Sequence, residues 1–252
     1  MKEQKKYAIS VIAGLLTIII SSIILFSSGS YAVYTADTAK RKLPVYGVGR
    51  DDGALSISFD CAWGTDYTDK ILDTLDFYNA KATFFVVQFW AEKYPDYLKK
   101  IVGRGHEVGT HSKTHPKMSK LSAEEIEEEL KSSVAAIENV TGQKVKLFRP
   151  PFGDYDDKVI TAAENLGLYT IQWNVDSLDW KNLSAEQIAA RVIKKAGSGS
   201  IILMHNNGLH TAESLPLIFT ATQQKGLVYR PISELIYTDD FRITPDGTQI
   251  KN

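Results

Sequence analysis

Residues 54–60 read Ala54-Leu55-Ser56-Ile57-Ser58-Phe59-Asp60. The apolar run 54–59 predicts a short strand, and an acid stands where it ends. The same alternation of strand and helix then continues along the chain. Residues 68–78 place Ile71, Leu72, Leu75 and Tyr78 on one helical face. Residues 82–87 are β-branched and aromatic, a buried strand. Pro95 opens a helix that ends near Gly105, and 107–109 is a brief strand. Ser122 and Glu125 form a capping box before a long helix that Gly142 ends. A strand at 145–148, a helix at 156–165 and a strand at 169–173 follow. Ser184 with Gln187 caps the next helix. A strand at 200–204, a helix at 211–225 and a strand at 227–229 complete the pattern.

About seven strand–helix units imply a parallel sheet with helices outside it. An open doubly wound sheet gathers its chemistry at one switch point, whereas a closed (β/α) barrel collects it at the carboxyl ends of all its strands. Here the polar residues follow many strands. Asp60 follows the first, His111 and His115 the third, and Arg149 the fourth. Asp176 and Asp179 follow the fifth, and His205 the sixth. That distribution favours a ring.

The chain has 252 residues, 29 basic and 30 acidic side chains, and one cysteine, Cys61. An intrachain disulfide is therefore excluded. A net charge of -1 offers no general attraction to nucleic acid. Lys2, Lys5 and Lys6 precede a run, Ala8 to Phe26, that is nearly all apolar. Such a run is long enough to cross a bilayer, with its basic flank held in the cytoplasm. A cleaved signal peptide is the competing reading; the length of the run favours an uncleaved anchor. Either way the domain is expected outside the cytoplasm. The expected divisions are 1–30 as anchor or signal, 31–53 as a linker discouraging regular structure, 54–237 as the folded domain and 238–252 as a tail. A monomer is expected.

Three of the five histidines (His106, His111, His115) lie in one ten-residue stretch, and His205 and His210 in a second. His111-Ser112-Lys113-Thr114-His115-Pro116 places two imidazoles four residues apart, a spacing that lets both reach one metal ion. Asp60 reads as a general base at a strand end or as a turn former. Arg149-Pro150-Pro151-Phe152-Gly153 reads as a rigid loop whose arginine can grip a carboxylate. Trp180 reads as core, with Asp176 and Asp179 as turn formers, or as part of a site.

In order, Ser58-Phe59-Asp60, the His111–Pro116 stretch, Arg149–Gly153, Asp176–Trp180 and Leu203-Met204-His205 resemble the five motifs of the polysaccharide deacetylases, the NodB-homology group or carbohydrate esterase family 4. The variant Phe59-Asp60-Cys61-Ala62-Trp63-Gly64 is most similar to the sporulation-associated, PdaB-like branch. The resemblance covers about residues 50 to 237 and implies a deformed (β/α)7 barrel, TIM-like in form, that removes acetyl groups from amino sugars of a cell-wall glycan. Carried over, His111 and His115 bind a divalent metal, Zn²⁺ in most members and Co²⁺ or Ni²⁺ in some. Asp60 is the base, His205 the acid, Arg149 orients Asp60 and Asp179 tunes His205. Trp180 and Leu203 wall the acetyl pocket, and the Phe152 N–H faces the oxyanion. One position departs: the second aspartate of the first motif, a metal ligand in the family, is Cys61. Three outcomes stay open, namely ligation through Cys61 sulfur, weak holding by two histidines and water, or a glycan-binding protein without activity.

Overall fold

The computed structural model describes residues 41–252. The expected anchor at 1–30 and residues 31–40 of the expected linker lie outside the described residues. Among the described residues no helix is long and apolar enough to cross a membrane.

In chain order the strands are β1 (Gly47–Val48), β2 (Ala54–Cys61), β3 (Ala82–Val86), β4 (Glu107–Thr110), β5 (Leu147–Phe148), β6 (Tyr169–Thr170), β7 (Val175–Asp176), β8 (Ile201–His205), β9 (Val228–Tyr229), β10 (Phe241–Ile243) and β11 (Thr248–Lys251). The α-helices are α1 (Thr68–Phe77), α2 (Gln88–Lys93), α3 (Pro95–Gly103), α4 (Ala123–Thr141), α5 (Asp157–Asn165), α6 (Ala185–Lys195), α7 (Thr211–Gln223) and α8 (Ile232–Leu235). The main sheet runs β6-β5-β4-β3-β2-β8-β7, every pair parallel, with β9 added beside the start of β2. This is a curled seven-stranded sheet wrapped by helices, the form of a deformed (β/α)7 barrel. Its two edge strands, β6 and β7, are joined by the short segment 171–174, so the chain itself keeps the edges close.

The period of two along β2 sorts its side chains. Leu55, Ile57, Phe59 and Cys61 face the helices and belong to the larger apolar cluster. Ser56, Ser58 and Asp60 face the other way, into the barrel. Strand β3 behaves alike: Phe84 stacks on Phe59 outside, at 5.1 Å between ring centroids, while Phe85 belongs to the inner cluster. Gly109 on β4 leaves room for that inner ring, since a Cβ there would come within 2.7 Å of Phe85.

Both capping boxes form. The Ser122 hydroxyl accepts from Glu125 N while the Glu125 carboxylate accepts from Ser122 N, and Ser184 and Gln187 do the same. Gly142 ends α4 at φ 67°. Three expectations change. The strand expected at 227–229 forms as β9 beside β2, but the one expected at 169–173 is confined to Tyr169–Thr170, and a further strand, Val175–Asp176, follows it. The segment 43–53 is not without regular structure, because β1 pairs with β11. The tail is not loose either: β10 and β11 form an antiparallel hairpin turned at Asp246-Gly247, giving a three-stranded sheet β1-β11-β10. Such short strands, flanked by Pro44, Gly47 and Gly49, carry too few residues to show a period.

His106 is buried beneath Phe84, and its Nε2 has no hydrogen-bond partner among the described residues. Burial, reinforced by Lys81, lowers its pKa from 6.5 to about 4. The folded chain therefore resists protonating it, so its contribution is complete above pH 6.5 and is lost as pH falls toward 4. By pH 5 the loss is about 2 kcal/mol. Denaturant midpoints taken at pH 7.5 and 5.0 fall less for His106→Phe than for the parent.

Candidate active site

A cavity of about 540 Å³ opens at the carboxyl ends of the strands. It is lined by Asp60, Ala62, Trp63, His111, His115, Phe152, Trp173, Asp176, Trp180, Leu203, His205 and Asn207. Strand register sets its centre. Asp60 and His205 are direct Cα partners on the neighbouring parallel strands β2 and β8, and both side chains turn inward.

Each of the two is held by a buried partner. The Arg149 guanidinium, wholly buried, donates from Nη1 to Asp60 Oδ1 at 2.8 Å and from Nη2 to the Gln172 carbonyl at 3.1 Å. Its plane lies 4.1 Å from the Phe85 ring centroid. Burial pushes the Asp60 carboxyl up, but Arg149, His111 and His205 together hold it below its ordinary value. Opposite, Asp179 is also fully buried. Its Oδ1 lies 2.7 Å from His205 Nδ1, and its Oδ2 accepts from His205 N and from Thr211 Oγ1. Burial disfavours a charged His205, but the Asp179 carboxylate outweighs it and raises the imidazole above its ordinary value. Nδ1 being engaged, Nε2 is the nitrogen presented to the cavity. Gly208 is required beside this pair, because a Cβ there would meet Thr211 Oγ1 at 2.2 Å.

The histidine pair stands on the loop after β4. His111 Nδ1 lies 2.7 Å from the Arg149 carbonyl oxygen, which can only accept, so Nδ1 carries the proton and Nε2 is bare, 3.5 Å from Asp60 Oδ2. His115 lies with its ring centroid 4.9 Å from that of His111. This loop and two others at the cavity are forced into shape: Ser112 and His115 after β4, Phe152 after β5 and Leu178 after β7 all have φ between 55° and 72°, a region that costs non-glycine residues energy and clusters at functional sites. Glu129 on α4 holds the loop. Its carboxylate accepts from Lys113 N, Thr114 N and Thr114 Oγ1 at 2.6–2.8 Å.

Every candidate residue named from the sequence lines the cavity or braces a residue that does, except Cys61. Cys61 is fully buried on the helix-facing side, its Sγ 3.7 Å from the Phe59 carbonyl, and burial drives its thiol well above the ordinary range. The short Cys61 side chain at the end of β2 joins the helix-facing apolar row of Leu55, Ile57 and Phe59. Cys61 is therefore not placed as a metal ligand. Trp63, Trp173, Asn207 and Glu129 are additions to the sequence reading. Trp63 had a signal, a large aromatic beside a glycine just past a strand end; Glu129 looked like any acid of an acidic helix.

Residues 47–171 match the family model described as Polysaccharide deacetylase. A peptidoglycan-N-acetylglucosamine deacetylase of Bacillus cereus is 31% identical over 75% of this chain and 70% of its own length. The chain belongs to the polysaccharide deacetylase family. The uncharacterized protein YlxY of Bacillus subtilis is 36% identical over 77% of the chain, which spans only 60% of YlxY. Among solved structures, a carbohydrate esterase family 4 pseudoenzyme from Bacillus anthracis superposes with a TM-score of 0.74 at 36% identity, covering 76% of this chain and 68% of that one. A mutant of that pseudoenzyme with restored enzymatic activity superposes equally well at 37% identity, covering 76% and 70%.

Deacetylases of this family are in general metal-dependent. The bare Nε2 of His111 and the adjacent His115 ring supply two nitrogen donors, but a catalytic zinc takes three protein ligands. Among the described residues no three His, Cys, Asp or Glu side chains form a group able to hold a metal ion. The donor set does not fit a three-ligand centre.

Two outcomes follow. Cys61→Ala leaves the zinc content of the purified chain unchanged, by elemental analysis, while lowering stability by about 1 kcal/mol. Glu129→Ala strips three donors of their acceptor and lowers stability by about 2 kcal/mol in chemical denaturation.

Proposed function

We propose that this cavity binds an N-acetylated amino sugar of peptidoglycan and hydrolyses its acetamide. The observation that carries this reading is the opposition of Asp60 and His205 across two paired strands, each with its own buried counter-charge. Strands in one sheet lie about 4.8 Å apart, so an acetamide between the two side chains meets an acceptor on one side and a donor on the other. Asp60, ionised and fixed by Arg149, is the base that takes the proton from attacking water. His205, protonated beside Asp179, gives its Nε2 proton to the departing amine. The Phe152 N–H faces the oxygen on which charge develops. Leu203, nearly buried, and the exposed Trp180 wall the acetyl methyl. No step is assigned to a metal, because the third donor is missing. The amino-terminal apolar run and its basic flank support placing the domain outside the cytoplasm, against cell-wall glycan, with a role in sporulation as part of the same reading.

A second reading has a specific observation behind it. With Cys61 turned into the core and a pseudoenzyme among the similar structures, the site would bind glycan with little turnover. Acetate release from N-acetylated peptidoglycan fragments, measured on the same sample as its metal content and its fragment binding, separates the two. On the first reading the parent releases acetate, and His205→Ala abolishes release while leaving fragment binding within about twofold. Fragment binding by the parent without acetate would establish the second.

A further inference from the structure

Trp63 is 57% exposed, and nothing in the chemistry above uses it. Its backbone is nonetheless tightly held. The next carbonyl, Gly64 O, accepts from Trp90 Nε1 at 2.8 Å and from Asn206 Nδ2 at 2.9 Å. Gly64 itself sits at φ 60°, and Thr68 N closes a turn onto Thr65 O at 3.0 Å. The indole leans edge-on against the His115 ring, with centroids 5.2 Å apart. On the other side of His115 the Phe152 ring also packs edge-on, at 4.6 Å, and is 64% exposed.

A large apolar ring on a braced loop, continuous with the lining of a cavity, is placed for a ligand rather than for the core. A pyranose chair presents a face of axial C–H groups bordered by hydroxyls, which suits the negative face of an indole. We propose that Trp63 is a stacking platform for the sugar next to the one whose acetamide enters the cavity, so that the site recognises a chain of at least two sugars. This rests on the glycan reading above. The interior wall of Asp60, His111 and His205 reads the acetamide; Trp63 reads the neighbouring ring and thereby selects polymer over free amino sugar.

The test uses the full chain and β-1,4-linked N-acetylglucosamine, as monomer and tetramer, with affinities by calorimetry and acetate release assayed on the same samples. Trp63→Ala is expected to weaken tetramer binding about three- to tenfold and monomer binding by a clearly smaller factor, and Trp63→Phe to restore most of the loss. Because the side chain is exposed, neither substitution disturbs the core. Tetramer affinity unchanged in Trp63→Ala, or equal losses for monomer and tetramer, would overturn the platform. A parent that binds tetramer through Trp63 and releases no acetate refutes hydrolysis and leaves the platform standing. A parent that releases acetate while Trp63→Ala binds as tightly does the reverse, and a parent that binds neither sugar overturns both.

Discussion

The site hangs on one buried ion pair, Arg149 with Asp60. A fully buried guanidinium needs its charge met, and here a carboxylate, a backbone carbonyl and the face of Phe85 engage it, while its Nε has no hydrogen-bond partner among the described residues. Removing one partner of such a pair leaves the other stranded, at a cost of about 3–5 kcal/mol. That penalty fixes where Asp60 points, and Asp60 then fixes the inward face of β2. The same choice sends Cys61 outward. The position that would complete a metal centre is thus decided by the geometry that holds Asp60 in place.

Buried or nearly buried carboxylates organise the other walls too. Asp179 grips both the ring and the backbone of His205, so imidazole and strand end move together. Glu129 grips two consecutive amides before His115. Each takes a loop bearing a reactive side chain and ties it to a helix or strand that folds for its own reasons. The left-handed residues of those loops are affordable because these acceptors over-determine them.

Much of this was legible in the sequence. Capping boxes at Ser122 and Ser184, glycine at the end of α4, and strands ending in Asp60 and His205 are local signals, set by neighbours within a few residues. The curled, barrel-like sheet followed from polar residues standing after so many strands. What escaped was non-local. β1 and the hairpin β10–β11 are short and define each other across some two hundred residues, so neither shows a period alone. Glu129 is one acid among several on its helix, and only folding puts the histidine loop over it. Cys61 could be read from its motif position as a ligand or as a small buried residue, and only its place in the apolar cluster beside Phe59 decides for the second.

The three-stranded sheet at the other end of the chain has a mechanical meaning. β1 lies parallel to β11, Gly47 opposite Thr248, and Val45 bridges Ile171 just upstream. Tension entering through residue 42 would load these ladders in shear, with many bonds resisting at once. Because Val48 N also bonds to Gly199 O at 2.8 Å, just before β8, that load is shared between the approach segment, the β10–β11 hairpin and the foot of β8, at the opposite end of the strand from His205.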